Sequence, residues 1–217
     1  MTTSIFGYTP LLLPIVAYRW QNSGPKVLIL GGVHGDEIEG VIAAQALLGE
    51  FVKQFPFRLD LTLVPQFNLE GVLHRTRTNS RGVDLNRNMA TKDWSPVVKG
   101  PRYHPGPAAN SEPEVQALSA WIEKEKPKFI LSLHSWYPVL NVNGDCAAEA
   151  EVLSAWTGYR IDDDIGYPTP GCLGTFAGLE RTSPTLTYEI ERGLNAESIL
   201  HTHVPAIMEC LKCTEKR

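Results

Sequence analysis

Hydrophobic positions along the chain fall into two periods, one of buried strands and one of amphipathic helices. Residues 26–30 form an apolar run behind a single lysine, closed by Gly31 and Gly32, and predict a strand buried on both faces. Ile38, Val41, Ile42, Ala44, Leu47 and Leu48 then recur at helical spacing, predicting a helix over 37–53 with Asp36 as its N-cap. Residues 59–65 alternate like a strand and lead into a long connection, 66–110, which we expect to be an ordered, site-lining loop. A helix follows over 112–126, with Ser111 as N-cap, Pro113 in its first turn and Pro127 just beyond its end. Phe129 to Leu133 reads as a second buried strand, 146–158 as a helix, 185–190 as a strand and 196–212 as a closing helix.

This alternation predicts an α/β protein with a central mixed, mostly parallel β-sheet and helices on both faces. With 217 residues and 43% hydrophobic content the chain can bury one sizeable core, and we expect one domain, 1–217. Twenty basic and 24 acidic side chains leave a net charge of −4 with no long basic run, so neither nucleic acid nor an anionic membrane is an expected partner. The early run Leu11–Tyr18 has no basic residue before it, is broken by Pro14 and is too short to span a bilayer; it reads as a strand or apolar arm. Cysteines at 146, 172, 210 and 213 are too few and uneven for a disulfide framework, and a cytoplasmic setting is expected. The sequence leaves the oligomeric state open.

Candidate chemistry gathers in three segments. His34 and Glu37 sit where the first buried strand becomes a helix, Arg77, Asn86 and Arg87 lie in the long loop, and His134 closes the second buried strand. Two imidazoles and a carboxylate are a ligand set that leaves zinc an open position, and Asn86 with Arg87 suits a substrate carboxylate. Each signal alone has a plainer reading: Glu37 as a helix-start acid favoured by the macrodipole, His134 as a hydrogen-bonded core histidine. Their combination at one edge of a sheet is what points to a metal hydrolase.

Taken in order, Gly31-Gly32-Val33-His34-Gly35-Asp36-Glu37, Arg77 with Val83-Asp84-Leu85-Asn86-Arg87-Asn88, Leu133-His134-Ser135 and Tyr188-Glu189 resemble the ordered motifs of the zinc carboxypeptidase family. Within it the chain looks most like the small bacterial amidases that cleave the γ-D-glutamyl to meso-diaminopimelate bond of murein peptides. The resemblance implies a zinc-carboxypeptidase-like fold, one Zn²⁺ held by His34, Glu37 and His134, and a murein-derived peptide as substrate. It implies Glu189 as general base, Arg77 as oxyanion stabiliser, Asn86 and Arg87 as the clamp on the terminal carboxylate, and Tyr167 as a cover over the bound substrate.

Alternatives accompany these assignments. Glu191 would project from the same face as Glu189, and Tyr167 could be a turn aromatic beside Pro168. Glu39 reads as a solvated helix residue, Asp84 as a residue that shapes its loop, and His74 and His104 as loop residues. His201 and His203 point apart on a helix, and Cys210 and Cys213 read as surface or half-buried thiols. A zinc deacylase of N-acyl amino acids also uses a glycine-flanked histidine and glutamate with an Asp-Leu-Asn-Arg segment, and a peptide-binding relative without turnover is the reading outside enzymes.

Overall fold

The apolar runs become the middle of one eight-stranded sheet in the computed structural model, which describes residues 1–97 and 100–217. Its strands are β1 (Thr2–Tyr8), β2 (Pro14–Trp20), β3 (Lys26–Gly31), β4 (Asp60–Val64), β5 (Phe129–Trp136), β6 (Val139–Asn143), β7 (Ile161–Asp162) and β8 (Thr185–Glu191). They lie in the order β1-β2-β4-β3-β5-β8-β6-β7. The central pairs β4/β3, β3/β5 and β5/β8 are parallel, and antiparallel pairings bring in β2 with β1 on one side and β6 on the other. The sheet is therefore mixed, with a parallel centre.

Strand alternation divides the core into two layers. Val27 and Ile29 of β3, with Leu131 and Leu133 of β5, face a layer closed by α1 (Ile38–Lys53), α4 (Ala147–Thr157) and α6 (Val204–Thr214). Leu28, Leu30 and Ile130 face the other, under α3 (Pro113–Glu125), Leu85 and Met89 of the long connection, and Phe176 of the π-helical segment Gly174–Leu179. Burying a side chain such as Leu28 or Ile29 contributes about 1.5–3 kcal/mol, which anchors β3 from both sides.

From β3 the chain passes through α1 to β4 on one flank, and later places β5 on the other. The crevice at the carboxyl ends of β3 and β5 is thus a topological switch point, the usual ligand position in an open α/β sheet.

Several local expectations change. The helix after β3 starts at Ile38 with Glu37 as N-cap and no side-chain cap bond, because Glu37 turns to the imidazoles while Asp36 pairs with Arg102 and Arg192. Ser111 is likewise not the cap of α3; Glu112 holds that position, and the Ser111 hydroxyl donates to its Oε1 at 2.9 Å. The connection 66–110 contains the short helix α2 (Leu69–His74) and 3₁₀ turns at Leu85–Arg87 and Pro101–Tyr103. Buried Asn88 fastens it by donating from Nδ2 to the Pro105 and Ala108 carbonyls. The chain's start forms the hairpin β1/β2, and β6 and β7 extend the sheet beyond β8. The closing helical segment has three parts, α5 (Ala196–Ser198), a π-helical turn (Ile199–His203) and α6.

Candidate active site

His34 lies three residues past β3, where Gly35 lets two backbones meet: a Cβ at Gly35 would fall 1.9 Å from the Gly71 carbonyl carbon of α2. Close approach of the two backbones is what excludes a side chain there. A second approach seats α1 on β5. A Cβ at Gly40 would lie 2.6 Å from the Leu133 carbonyl oxygen, so this glycine lets Glu37 come down beside His134.

The result is a closed triangle. His34 Nδ1 is 2.8 Å from Glu37 Oε1, His134 Nδ1 is 2.8 Å from Glu37 Oε2, and the two Nδ1 atoms are 3.1 Å apart. All three residues are buried. The outer ring nitrogens are held from behind, His34 Nε2 by Asp84 Oδ1 at 3.0 Å and His134 Nε2 by the Ser132 hydroxyl at 2.9 Å. With Nε2 donating outward, each imidazole turns its Nδ1 lone pair inward, as a histidine metal ligand requires.

That donor set suits zinc. Bonds of about 2.0–2.1 Å to a tetrahedral ion set neighbouring donors roughly 3.3 Å apart, within about half an ångström of the separations among these three groups. Two neutral imidazoles and one carboxylate leave a fourth position towards the cleft. Burial opposes ionisation of Glu37, but the charges that His34 and His134 carry when protonated overcome it and hold the carboxyl well below its usual range.

Arg77 links this triangle to the long loop. Its Nη1 donates to Glu37 Oε1 at 3.1 Å and its Nε to Asp84 Oδ2 at 2.9 Å, while the guanidinium lies over the Tyr103 ring. Burial works against its charge, and Asp84 and Glu37 more than compensate. Asp84 meanwhile accepts from the Asn86 amide at 3.0 Å and caps the turn Leu85–Arg87. Asn86 Oδ1 accepts from the Leu173 amide at 2.8 Å, which leaves Asn86 Nδ2 as a donor. Arg87 is buried, with Nη1 donating to the Asn86 carbonyl.

Opposite stands Glu189. The parallel register of β5 and β8 pairs His134 with Glu189, so both side chains leave the same face of the sheet. Glu189 Oε2 is buried with no hydrogen-bond partner among the described residues. Burial pushes its carboxyl up to about 7, aided by the Glu37 charge and opposed by His134. Glu191 shares the face but is exposed at the strand end. Tyr167 is 44% exposed and lines the cleft, which is also bounded by His34, Glu37, Arg77, Asn86, Arg87 and Glu189.

The sequence reading left several neighbours unassigned. Ser132 was available from strand period, two residues before His134 on the same face. Glu39 is not solvated: it is buried, accepting from the Ser135 hydroxyl at 2.6 Å and the Gly193 amide at 2.8 Å, which ties α1 to β5 and the end of β8. Cys210 is fully buried rather than a surface thiol, and all four cysteines are free. His203 is buried against the Tyr188 hydroxyl, away from the cleft; His104 accepts from the Gly106 amide in the loop.

Residues 2–152 match the zinc carboxypeptidase family. The murein peptide amidase A of Vibrio campbellii is 30% identical, with the match covering 98% of this chain and 88% of that protein. The crystal structure of the murein-tripeptide amidase of Escherichia coli O157 shares the fold with a TM-score of 0.79 at 24% identity, covering 98% of this chain and 92% of the other. Bovine thrombin-activatable fibrinolysis inhibitor gives 0.83 at 18% identity over 99% of this chain and 90% of its own. The chain belongs to the zinc carboxypeptidase family.

Proposed function

We propose that this chain, acting as one catalytic domain over residues 1–217, is a zinc hydrolase of the γ-D-glutamyl to meso-diaminopimelate bond in murein peptides. The observation that carries the reading is the convergence of His34, Glu37 and His134, with Glu189 in register across the sheet. The substrate follows from the Vibrio campbellii relative, called a murein peptide amidase A and similar along nearly the whole chain. His34 and His134 through Nδ1 and Glu37 through its carboxylate would hold one zinc ion. Bound there, zinc supplies Lewis acidity that polarises the scissile carbonyl and activates water.

The chain's own groups do the rest. Asn86 and Arg87 grip the carboxylate of the C-terminal residue, a planar fork and an amide donor matched to two oxygens. Arg77, held by Asp84 and Glu37 through Nε and Nη1, keeps Nη2 for the oxyanion that develops on the scissile carbonyl, so little reorganisation is needed as charge appears. Glu189 Oε2 takes the proton of the attacking water and passes it to the leaving amine; the carboxyl's displacement towards neutrality suits both transfers. Tyr167, lining the cleft, covers the bound peptide.

We place the enzyme in the cytoplasm, acting on imported wall fragments; four free cysteines suit a reducing compartment, and no helix among the described residues is long and apolar enough to cross a membrane. Fractionation of the native protein tests that location. Incubating the purified protein with L-Ala-γ-D-Glu-meso-diaminopimelate, with and without a chelator, tests the reaction. Free diaminopimelate should appear only with metal present. Release from N-succinylglutamate or N-acetylaspartate instead would identify a deacylase.

A further inference from the structure

The long connection hangs on three carboxyl groups outside the cleft. Glu70 of α2, and Glu112 and Glu114 at the start of α3, are buried, as is Asn79, which meets two of them. Asn79 Nδ2 donates to Glu112 Oε2 at 2.8 Å and to Glu114 Oε1 at 3.3 Å, while its Oδ1 accepts from the Arg81 and Val83 amides at 3.1 Å each. Glu70 Oε2 accepts from the Ser80 amide at 3.2 Å, and the Glu112 amide donates to Asn88 Oδ1 at 3.1 Å. Segment 79–88, which carries Asn86 and Arg87, is therefore tied to these acidic residues at both ends.

The cluster is short of positive charge. Arg81 Nη1 lies 3.7 Å from Glu112 Oε2, but this arginine is exposed. In β1, packed along α3, the titratable side chain is the exposed Tyr8, and His104 of the connection is turned to the Gly106 amide. Glu70 keeps its charge: burial opposes it, but donors that include the Ser80 and Leu11 amides outweigh burial and hold its carboxyl below the usual range. Glu114 does not. Burial, with the Glu112 and Glu70 charges, pushes its carboxyl up to about 7 against hydrogen bonds from its own amide and Asn79.

Geometry assigns the proton to the same residue. Glu112 has two short donors, the Ser111 hydroxyl at 2.9 Å and Asn79 at 2.8 Å, whereas Glu114 receives the longer bond from that same Asn79 amide. Losing the proton puts a carboxylate on each side of one amide group, in surroundings that screen charge poorly. Asn79 then cannot satisfy both, and the turn held by its Oδ1 loosens together with Asn86 and Arg87 beyond it.

We propose that Glu114, with Glu112 and Glu70, is a positioning residue for the carboxylate clamp, and that the proton on Glu114 sets how firmly segment 79–88 holds Asn86 and Arg87 against the substrate. The inference rests on the proposed reaction only in taking those two residues as the clamp. Because the folded-state value lies above the usual 4.5, the effect is complete at low pH and is lost as pH rises through about 7.

The test is kcat and KM of the zinc-loaded full chain on L-Ala-γ-D-Glu-meso-diaminopimelate from about pH 6 to pH 8.5, beside amide hydrogen exchange of segment 79–88 corrected for the chemical rate. In the parent, KM should rise about fivefold across that range, the low end for coupled sites, while protection of the segment falls. Glu114→Gln, neutral throughout, should hold both nearly level and keep the parent's pH profile of kcat, since Glu189 is untouched. A merely structural Glu114 would shift KM by one factor at every pH. Should Glu114→Gln fail to fold, Glu112→Gln removes one of the charges that raise Glu114 and should move the rise in KM to lower pH.

An equal rise in KM in the parent and Glu114→Gln, or protection that ignores pH in the parent, would overturn the proposal. Protection that follows pH in the parent but not in Glu114→Gln, without cleavage of the tripeptide, would sink the proposed reaction and leave the positioning role standing. Cleavage with pH-independent protection would do the reverse.

Discussion

Replacing Asp84 by asparagine should separate metal binding from turnover. Asp84 is fully buried and meets three donors: His34 Nε2 and the Asn86 amide on Oδ1, Arg77 Nε on Oδ2. Burial alone would keep its carboxyl protonated, but His34 and Arg77 reverse this and push it far below the usual range. An asparagine has one oxygen for these three donors. Kept on His34 and Asn86, it turns an NH₂ group onto Arg77 Nε; flipped, it turns that group onto His34 Nε2. The first orientation retains two of three bonds and should be adopted. Arg77 then loses a charge-assisted bond of about 1.5–3 kcal/mol and faces a donor at 2.9 Å. We expect kcat/KM on the murein tripeptide to fall about a hundredfold, or roughly 2.7 kcal/mol. Zinc affinity should fall only about tenfold, at the low end for loss of a partner behind a metal ligand. Asp84→Ala, which leaves His34 Nε2 without its acceptor, should bring the zinc loss towards a hundredfold. Competition against a chromophoric chelator gives the zinc Kd, and a urea melt separates general destabilisation. Asp84→Asn with both constants within threefold of the parent would refute the assignment of Asp84 to His34 and Arg77.

Glu189→Gln should retain zinc and peptide binding, both measurable by calorimetry, while hydrolysis drops by about 10²–10⁴-fold; a variant keeping most of its rate removes Glu189 as the proton carrier. Gly40→Ala should lift α1 from β5 at the Leu133 carbonyl, costing about 1–3 kcal/mol in urea melts and weakening zinc binding by moving Glu37, whereas unchanged stability would mean the contact relaxes freely. Glu114 provides a pH test away from the cleft: burial raises its carboxyl from the usual 4.5 to about 7, despite hydrogen bonds that include one from Asn79. Because the folded-state value lies above the unfolded one, the folded chain binds the extra proton between those pH values. Its stabilising effect is full below pH 4.5 and is lost as pH rises through about 7. Glu114→Gln should therefore gain stability relative to the parent by about 1–3 kcal/mol on going from pH 5 to pH 8, and a pH-independent difference in urea midpoints would contradict the burial argument.

The centre of the fold was legible because β3 and β5 are buried on both sides and carry apolar runs, while β8 alternates buried Leu186, Tyr188 and Ile190 with polar residues. Strands at the margins were not. In β1 one face is open to solvent, and Thr2, Thr3 and Ser4 carry no apolar alternation. In β6 the alternation exists but is inverted in meaning: Leu140 and Val142 mark the core face, while Asn141 and Asn143, which line the cleft, make five residues look like a polar turn. A cleft-lining face thus obscured the pattern by which its own strand would be found. Glu39 misled for a related reason, since a helical glutamate looks solvated until the chain beyond β8 is known to bring the Gly193 amide to it. Catalytic candidates were easier to read than this scaffold. His34, Glu37 and Arg77 stand in short motifs whose spacing is set by local turns, and His134 lies towards the end of an unmistakable strand, β5. What no local pattern carries is the pairing of remote groups, such as Asp84 with His34 across 50 positions or His134 with Glu189 in register between parallel strands. Those pairings depend on strand order, and strand order follows from which strands bury which faces together, a property of the whole chain. Chemistry that one segment can supply was visible in the sequence; chemistry that needs two segments became visible only when the sheet was assembled.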